Sequence, residues 1–186
     1  MINSNRFPLA LILGLALTAP VGVSSAETFS AYVDTEGNIS LPQDFRLRMV
    51  HLGSWFVPEG DASGFHDVYT EAESATAYRA TGKFPDGATL VKELRASDSA
   101  DYTTGKGVHS ASTRIKQWFV MVKDAKGRFT GNPTWGDGWG WALFKTDAPE
   151  VNASKDYQAD CLSCHIPAQE TDLVYIHAYP TLSGAR

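Results

Sequence analysis

The chain has 186 residues, 43% hydrophobic and 20% charged, with 16 Gly and 9 Pro, which suits one globular domain of roughly 150 residues plus a short extra segment. That make-up excludes a disordered tail, a collagen-like fibre and a long coiled coil. With 16 Lys+Arg against 21 Asp+Glu the net charge is −5, so no positive excess exists to displace counterions from a phosphate backbone, and nucleic acid is not an expected partner.

Residues 1 to 26 read as a secretory leader. Arg6 supplies the positive start, Leu9 to Ala19 is apolar except for Thr18, and Ser24-Ser25-Ala26 forms a small-residue cleavage site. The run is shorter than the roughly 20 residues a bilayer span needs, and Pro20 and Gly22 interrupt it. The mature domain is therefore expected over 27–186, in the periplasm, with no membrane span after processing.

Along that domain, Tyr32 to Leu41 predicts a short polar arm turning at Glu36-Gly37-Asn38. Arg46 to Val57 is rich in β-formers and reads as a strand, as does His66 to Tyr69. Thr70 to Ala80 carries the clearest helical signal: Thr70 or Glu71 as cap, Glu73 in the first turn, Gly82 as stop. Pro85-Asp86-Gly87 is a turn that launches Ala88 to Leu94 as a strand. Ser97 to Gly107 reads as a polar loop, Ile115 to Val122 as the most hydrophobic strand, Asn132 to Trp139 as a loop, and Gly140 to Phe144 as a strand. A helix is expected over Ala153 to Cys164, ending at Pro167, and a last strand over Leu173 to Tyr179. Strands outnumber helices without a strand-helix alternation, so the predicted class is α+β, mainly β: an antiparallel sheet with a few packed helices.

Both cysteines lie in Cys161-Leu162-Ser163-Cys164-His165. This is the C-x-x-C-H pattern of covalent haem c attachment. Two thiols one helical turn apart reach two vinyl groups of one porphyrin, and the next residue brings an imidazole to the iron. A redox dithiol would want a thioredoxin-like context, and a zinc site would need a second ligand pair that the chain lacks. His165 is then the proximal iron ligand. Only 21 residues follow it and none is Met. Met49 and Met121 upstream sit in apolar strand patterns that suit the core, and His51, His66, His109 and His177 read as packed or hydrogen-bonded strand residues. An open sixth position, suited to small molecules, is the expectation.

A haem motif near the C-terminus is shared with the four-helix cytochromes c′, whose long helical periodicity this chain lacks. The chain instead resembles the cytochrome P-460 family, which includes the β-type cytochromes c′. The resemblance rests on Leu41-Pro42 and the strand near Arg46, on the whole of Thr70 to Leu94 with its Phe84-Pro85-Asp86-Gly87 turn, on Cys161 to His165, and on Thr171 to Tyr175 with Tyr179-Pro180. It implies a mainly β homodimer with His165 proximal and an open distal face. It also implies a lysine, in the strand after that turn, joined covalently to the porphyrin edge; Lys92 is the matching position, and gas-binding relatives lack the bond.

Alternation places Leu90, Lys92 and Leu94 on one face and Val91 and Glu93 on the other. Two readings of Lys92 stay open: an inward amine with lowered pKa, or an edge lysine reaching water beside Glu93. Lys83 is the lesser candidate. Family chemistry on hydroxylamine calls for a proton acceptor near the distal pocket, for which Asp156 is the candidate by resemblance and Asp160 its rival. Phe119, Trp118, Trp139 and Trp141 are available as aromatic walls. The resemblance implies a hydroxylamine-oxidising enzyme that passes electrons to a periplasmic carrier. The alternatives are a nitric oxide or carbon monoxide binder without turnover, and a plain electron-transfer cytochrome.

Overall fold

The computed structural model describes Met1 and residues 29–183; the expected leader, apart from Met1, lies outside the described residues. A polar arm closes on the bridge between Val33 and Ile39, where the Asp34 carboxylate accepts the backbone N–H groups of Glu36 and Asn38. It leads into a single helical turn, α1 (Phe45–Arg48), followed by β1 (Val50–Val57), β2 (Gly64–Thr70), α2 (Ala72–Thr81), β3 (Thr89–Tyr102), β4 (Gly105–Lys123), β5 (Trp135–Gly136) and β6 (Trp139–Lys145). Helical turns follow from Gln158 to Leu182. The six strands form one antiparallel sheet in the order β1-β2-β3-β4-β6-β5. The protein is α+β, mainly β, as its strand-rich sequence predicts.

Period-two alternation divides the sheet into two apolar faces. On one, Leu52, Val68, Leu90, Met121 and Trp141 pack beneath α2 and the C-terminal segment through Ala75, Tyr78, Leu173, Val174 and Tyr179. On the other, Val91, Val120, Val122, Ala142 and Phe144 pack against Ile39, Phe45 and Met49 from the N-terminal arm and α1. The C-terminal segment reaches β1 because Gly53 has no Cβ, which would collide with the carbonyl of Ala178. Among the described residues no helix is long and apolar enough to cross a membrane.

Four elements differ most from their sequence reading, and the expected loop over Asn132 to Trp139 also contains β5. Arg46 to Arg48 belong to α1 rather than a strand, because Asp44 in left-handed backbone (φ 55°) turns the chain and its carbonyl accepts from Leu47 and Arg48. Ser97 to Gly107 is no loop. It is the far end of the β3–β4 hairpin, held by backbone pairing such as Ser99 with His109. With little apolar packing there, the segment carries no hydrophobic period to betray it. The helix near the haem motif starts later than expected, after irregular residues 152–156, and the chain continues past Pro167 in 3-10 turns, Pro occupying their first positions. Leu173 to Tyr179 forms no strand: Asp172 and Leu173 are left-handed and Ile176–Ala178 is a 3-10 turn.

On the face away from the C-terminal segment, Glu93 is fully buried and ion-paired with Arg46 and, at 3.3 Å, Arg95, while the Trp118 indole N–H donates to it at 3.0 Å. Glu93→Ala is expected to destabilise the fold by about 3 kcal/mol, since Arg95 would keep only Asp67 and the indole N–H would lose its acceptor. Arg46→Ala should cost about 1 kcal/mol or less, Arg46 being half exposed. Urea unfolding monitored by fluorescence checks the contrast.

Candidate functional site

The helix carrying the thiols is tied down before it begins. Asn152 crosslinks to β6 through Leu143 and Trp141, and Asp160 gathers the Ser154 hydroxyl and the backbone N–H groups of Lys155 and Asp156 on one carboxylate oxygen. A π-helical turn, Gln158–Leu162, runs into one α-turn, Ser163–His165; such turns recur at functional sites. Cys161 is half-buried, its thiol pushed up by burial, and Cys164 is exposed. They form no disulfide, and both line one cavity with His165.

The His165 ring is fixed from two sides. Its Nδ1 is 2.7 Å from the carbonyl of Leu173, and the Trp141 ring meets it edge-on with centroids 4.8 Å apart. A carbonyl can only accept, so Nδ1 carries the proton and Nε2 holds the lone pair. Burial lowers the His165 pKa, which keeps the imidazole neutral as a metal ligand requires.

The cavity, about 370 Å³, lies between this helical segment and the sheet. Leu90, Lys92 and Leu94 of β3 line it and Val91 and Glu93 do not, so the inward reading of Lys92 is the correct one. Lys92 is half-buried, and its amine sits 4.0 Å from the centre of the Phe119 ring. Burial lowers its pKa to about 8, against which the neighbouring Cys164 and Cys161 thiols act. Lys92, both thiols and His165 thus line one open cavity. Thr171 to Tyr175 borders it, with the Tyr175 hydroxyl donating to the carbonyl of Cys164 at 2.6 Å.

The other predicted residues separate. Phe119 and Trp141 line the cavity, whereas Trp118 faces the opposite side and Trp139 is buried beyond the lining. Asp156 is exposed and absent from the lining; its carboxylate accepts the N–H groups of Gln158 and Ala159 and so caps the helix. Asp160 lies at the cavity rim, its pKa lowered chiefly by the Lys155 N–H bond. Lys83 is exposed at the turn flank. Met49 is in the opposite core, as expected, while Met121 is both core and cavity wall.

The sequence reading takes His66 as a packed or hydrogen-bonded strand residue and gives Gln117 no role. They flank Leu94 across the sheet and line the same cavity. Counting by two from Lys92 through the paired strands would have placed them there. The His66 Nε2 lies 2.6 Å from the Ala62 carbonyl and burial lowers its pKa, so it is a neutral ring with Nδ1 as acceptor.

These residues fit a haem: paired thiols one turn apart, a neutral imidazole with a free ligand nitrogen, and an apolar cavity between aromatic walls. Fold and site together define a c-type haem cytochrome built on an antiparallel sheet. Residues 42–176 match the family model described as Cytochrome P460, and the chain belongs to that family. No curated protein matches it.

In the haem-free protein the Lys92 amine should titrate with a midpoint at about 8, against about 10.4 for an unperturbed lysine. Between these values the unfolded chain holds a proton that the native chain has released, so stability should rise as pH is raised from 8 to 10. Carbon-13 methyl labelling of the lysines reads the midpoint, and Lys92→Leu should remove both effects.

Proposed function

We propose that this protein is an exported, periplasmic mono-haem cytochrome, working as a homodimer, that oxidises hydroxylamine to nitrogen oxides and passes the electrons to a periplasmic carrier. The observation that carries the reading is the Lys92 amine lining the same cavity as Cys161, Cys164 and His165. Cys161 and Cys164 would hold the haem covalently, with His165 as its axial ligand. The haem supplies the redox centre that takes electrons from the substrate and releases them to the carrier.

Lys92 does what an ordinary surface lysine could not. At pH 7 roughly a tenth of its amine is uncharged, and the lone pair of that fraction is what Lys92 would use to bond the porphyrin edge, a step in which a ring C–H is lost and an external two-electron oxidant of the peroxide class is consumed. Phe119, Leu94 and Val68 around it keep the site apolar and limit water. Oxidising hydroxylamine releases protons along with electrons. His66, neutral with Nδ1 as acceptor, takes them in this reading. Asp156 is committed to its helix cap, and Asp160 to the three donors on its carboxylate.

Lys92→Leu is expected to keep the haem, fold and nitric oxide binding, because the thiols and His165 are untouched. It should lose the red-shifted Soret band of a cross-linked haem and lower hydroxylamine turnover by about 100-fold or more, the scale of a group acting at the reacting site. An ordinary c-type spectrum in the wild type, with no hydroxylamine turnover in wild type or variant, would instead make the protein a nitric oxide or carbon monoxide binder. A low-spin iron that loses its sixth ligand in Met121→Leu would make it an electron-transfer cytochrome.

A further inference from the structure

The carbonyl that holds His165 belongs to an unusual piece of backbone. Asp172 (φ 62°) and Leu173 (φ 63°) are consecutive non-glycine residues in the left-handed region, and leucine rarely goes there. Such a conformation persists only where its surroundings over-determine it. Here three separate parts of the chain do so. The Lys123 amine, from the end of β4, lies 2.5 Å from the Asp172 carboxylate; the Phe84 N–H, from the turn before β3, donates to the other carboxylate oxygen at 3.2 Å. The Trp139 indole N–H, from β6, donates to the Asp172 carbonyl at 3.1 Å. Lys123 and Asp172 are largely withdrawn from water, and Leu173 is buried in the core.

These contacts leave the peptide after Asp172 little freedom, and the next carbonyl along is the acceptor for His165 Nδ1. We propose that Lys123 and Asp172 are positioning residues for His165: their ion pair locks the left-handed turn so that the Leu173 carbonyl holds the Nδ1 proton and sets the donor strength of Nε2. A firm acceptor draws the proton away from the ring, makes the imidazole a stronger donor, and favours the oxidised iron. The inference rests on His165 being the axial ligand, and adds to that reading the device that tunes it.

Resonance Raman spectra of the reduced haem protein report the iron–histidine stretching band, and a spectroelectrochemical titration reports the potential. Lys123→Met should move the band to lower frequency and the potential to a more positive value. Lys123→Arg, which restores the cation, should return both to the wild-type positions. Asp172→Asn, whose side chain tolerates left-handed backbone, should give a smaller shift of the same sign and decides the matter if Lys123→Met does not fold. A pair with only a structural role would lower the melting temperature and leave band and potential unmoved; that result in folded, haem-loaded variants overturns the proposal. An iron–histidine band that persists unchanged in His165→Gly would overturn the ligand assignment itself, which separates the two failures.

Discussion

A lysine amine that faces an apolar cavity is the constraint around which this protein is arranged. Burying an ammonium is unfavourable, so the cavity holds Lys92 at a pKa of about 8 and with it a supply of uncharged amine. What forces the side chain inward is β3, hydrogen-bonded on both sides by β2 and β4, whose alternation turns Leu90, Lys92 and Leu94 to one face and Val91 and Glu93 to the other. Glu93 cannot neutralise its neighbour across the sheet. It is engaged instead by Arg46, Arg95 and Trp118, so the two adjacent charges are solved separately on opposite faces. Neither solution survives a one-residue slip of β3, which would exchange the two faces.

The C-terminal segment completes the cavity that β3 opens. Its haem motif would be a loose helical turn without the bonds from Asn152 and Asp160 before it and the left-handed turn at Asp172 and Leu173 after it. Those bonds bring two thiols and a neutral imidazole to the sheet face where the lysine already points. Close approach depends on small residues at the contact: Gly53 admits the backbone of Ala178, and Gly136 admits the ring of Tyr157.

Much of this was legible in the sequence, for identifiable reasons. The thiol spacing points to a haem, the Phe84 to Gly87 turn fixes where β3 begins, and Leu90 and Leu94 reveal the face that Lys92 shares. The helix at Ala72–Thr81 announced itself through Glu73 and Gly82. Other parts carry no one-dimensional signal. The outer β3–β4 hairpin is held by backbone pairing with small polar side chains, so its strands have no hydrophobic period. Leu173 to Tyr179 has strand-like composition because its side chains are buried against the sheet, yet its backbone bonds are local and to His165. Trp118 and Phe119 are neighbours on one strand, and only the register with β3 decides which faces the cavity. His66 and Met121 join the site by the same cross-strand route, and Asp156 leaves it because its carboxylate caps the helix it precedes.

The account requires the iron to sit between the helical segment and the lysine-bearing sheet face. Anomalous diffraction at the iron edge, from crystals of the haem-loaded protein, locates it directly. The predicted result is one iron per chain at bonding distance from His165 Nε2, with Lys92 at the porphyrin edge and no protein atom on the opposite axial position. An iron ligated by Met121 or His66 as well, or a porphyrin lying outside this cavity with Lys92 remote from it, would contradict the account.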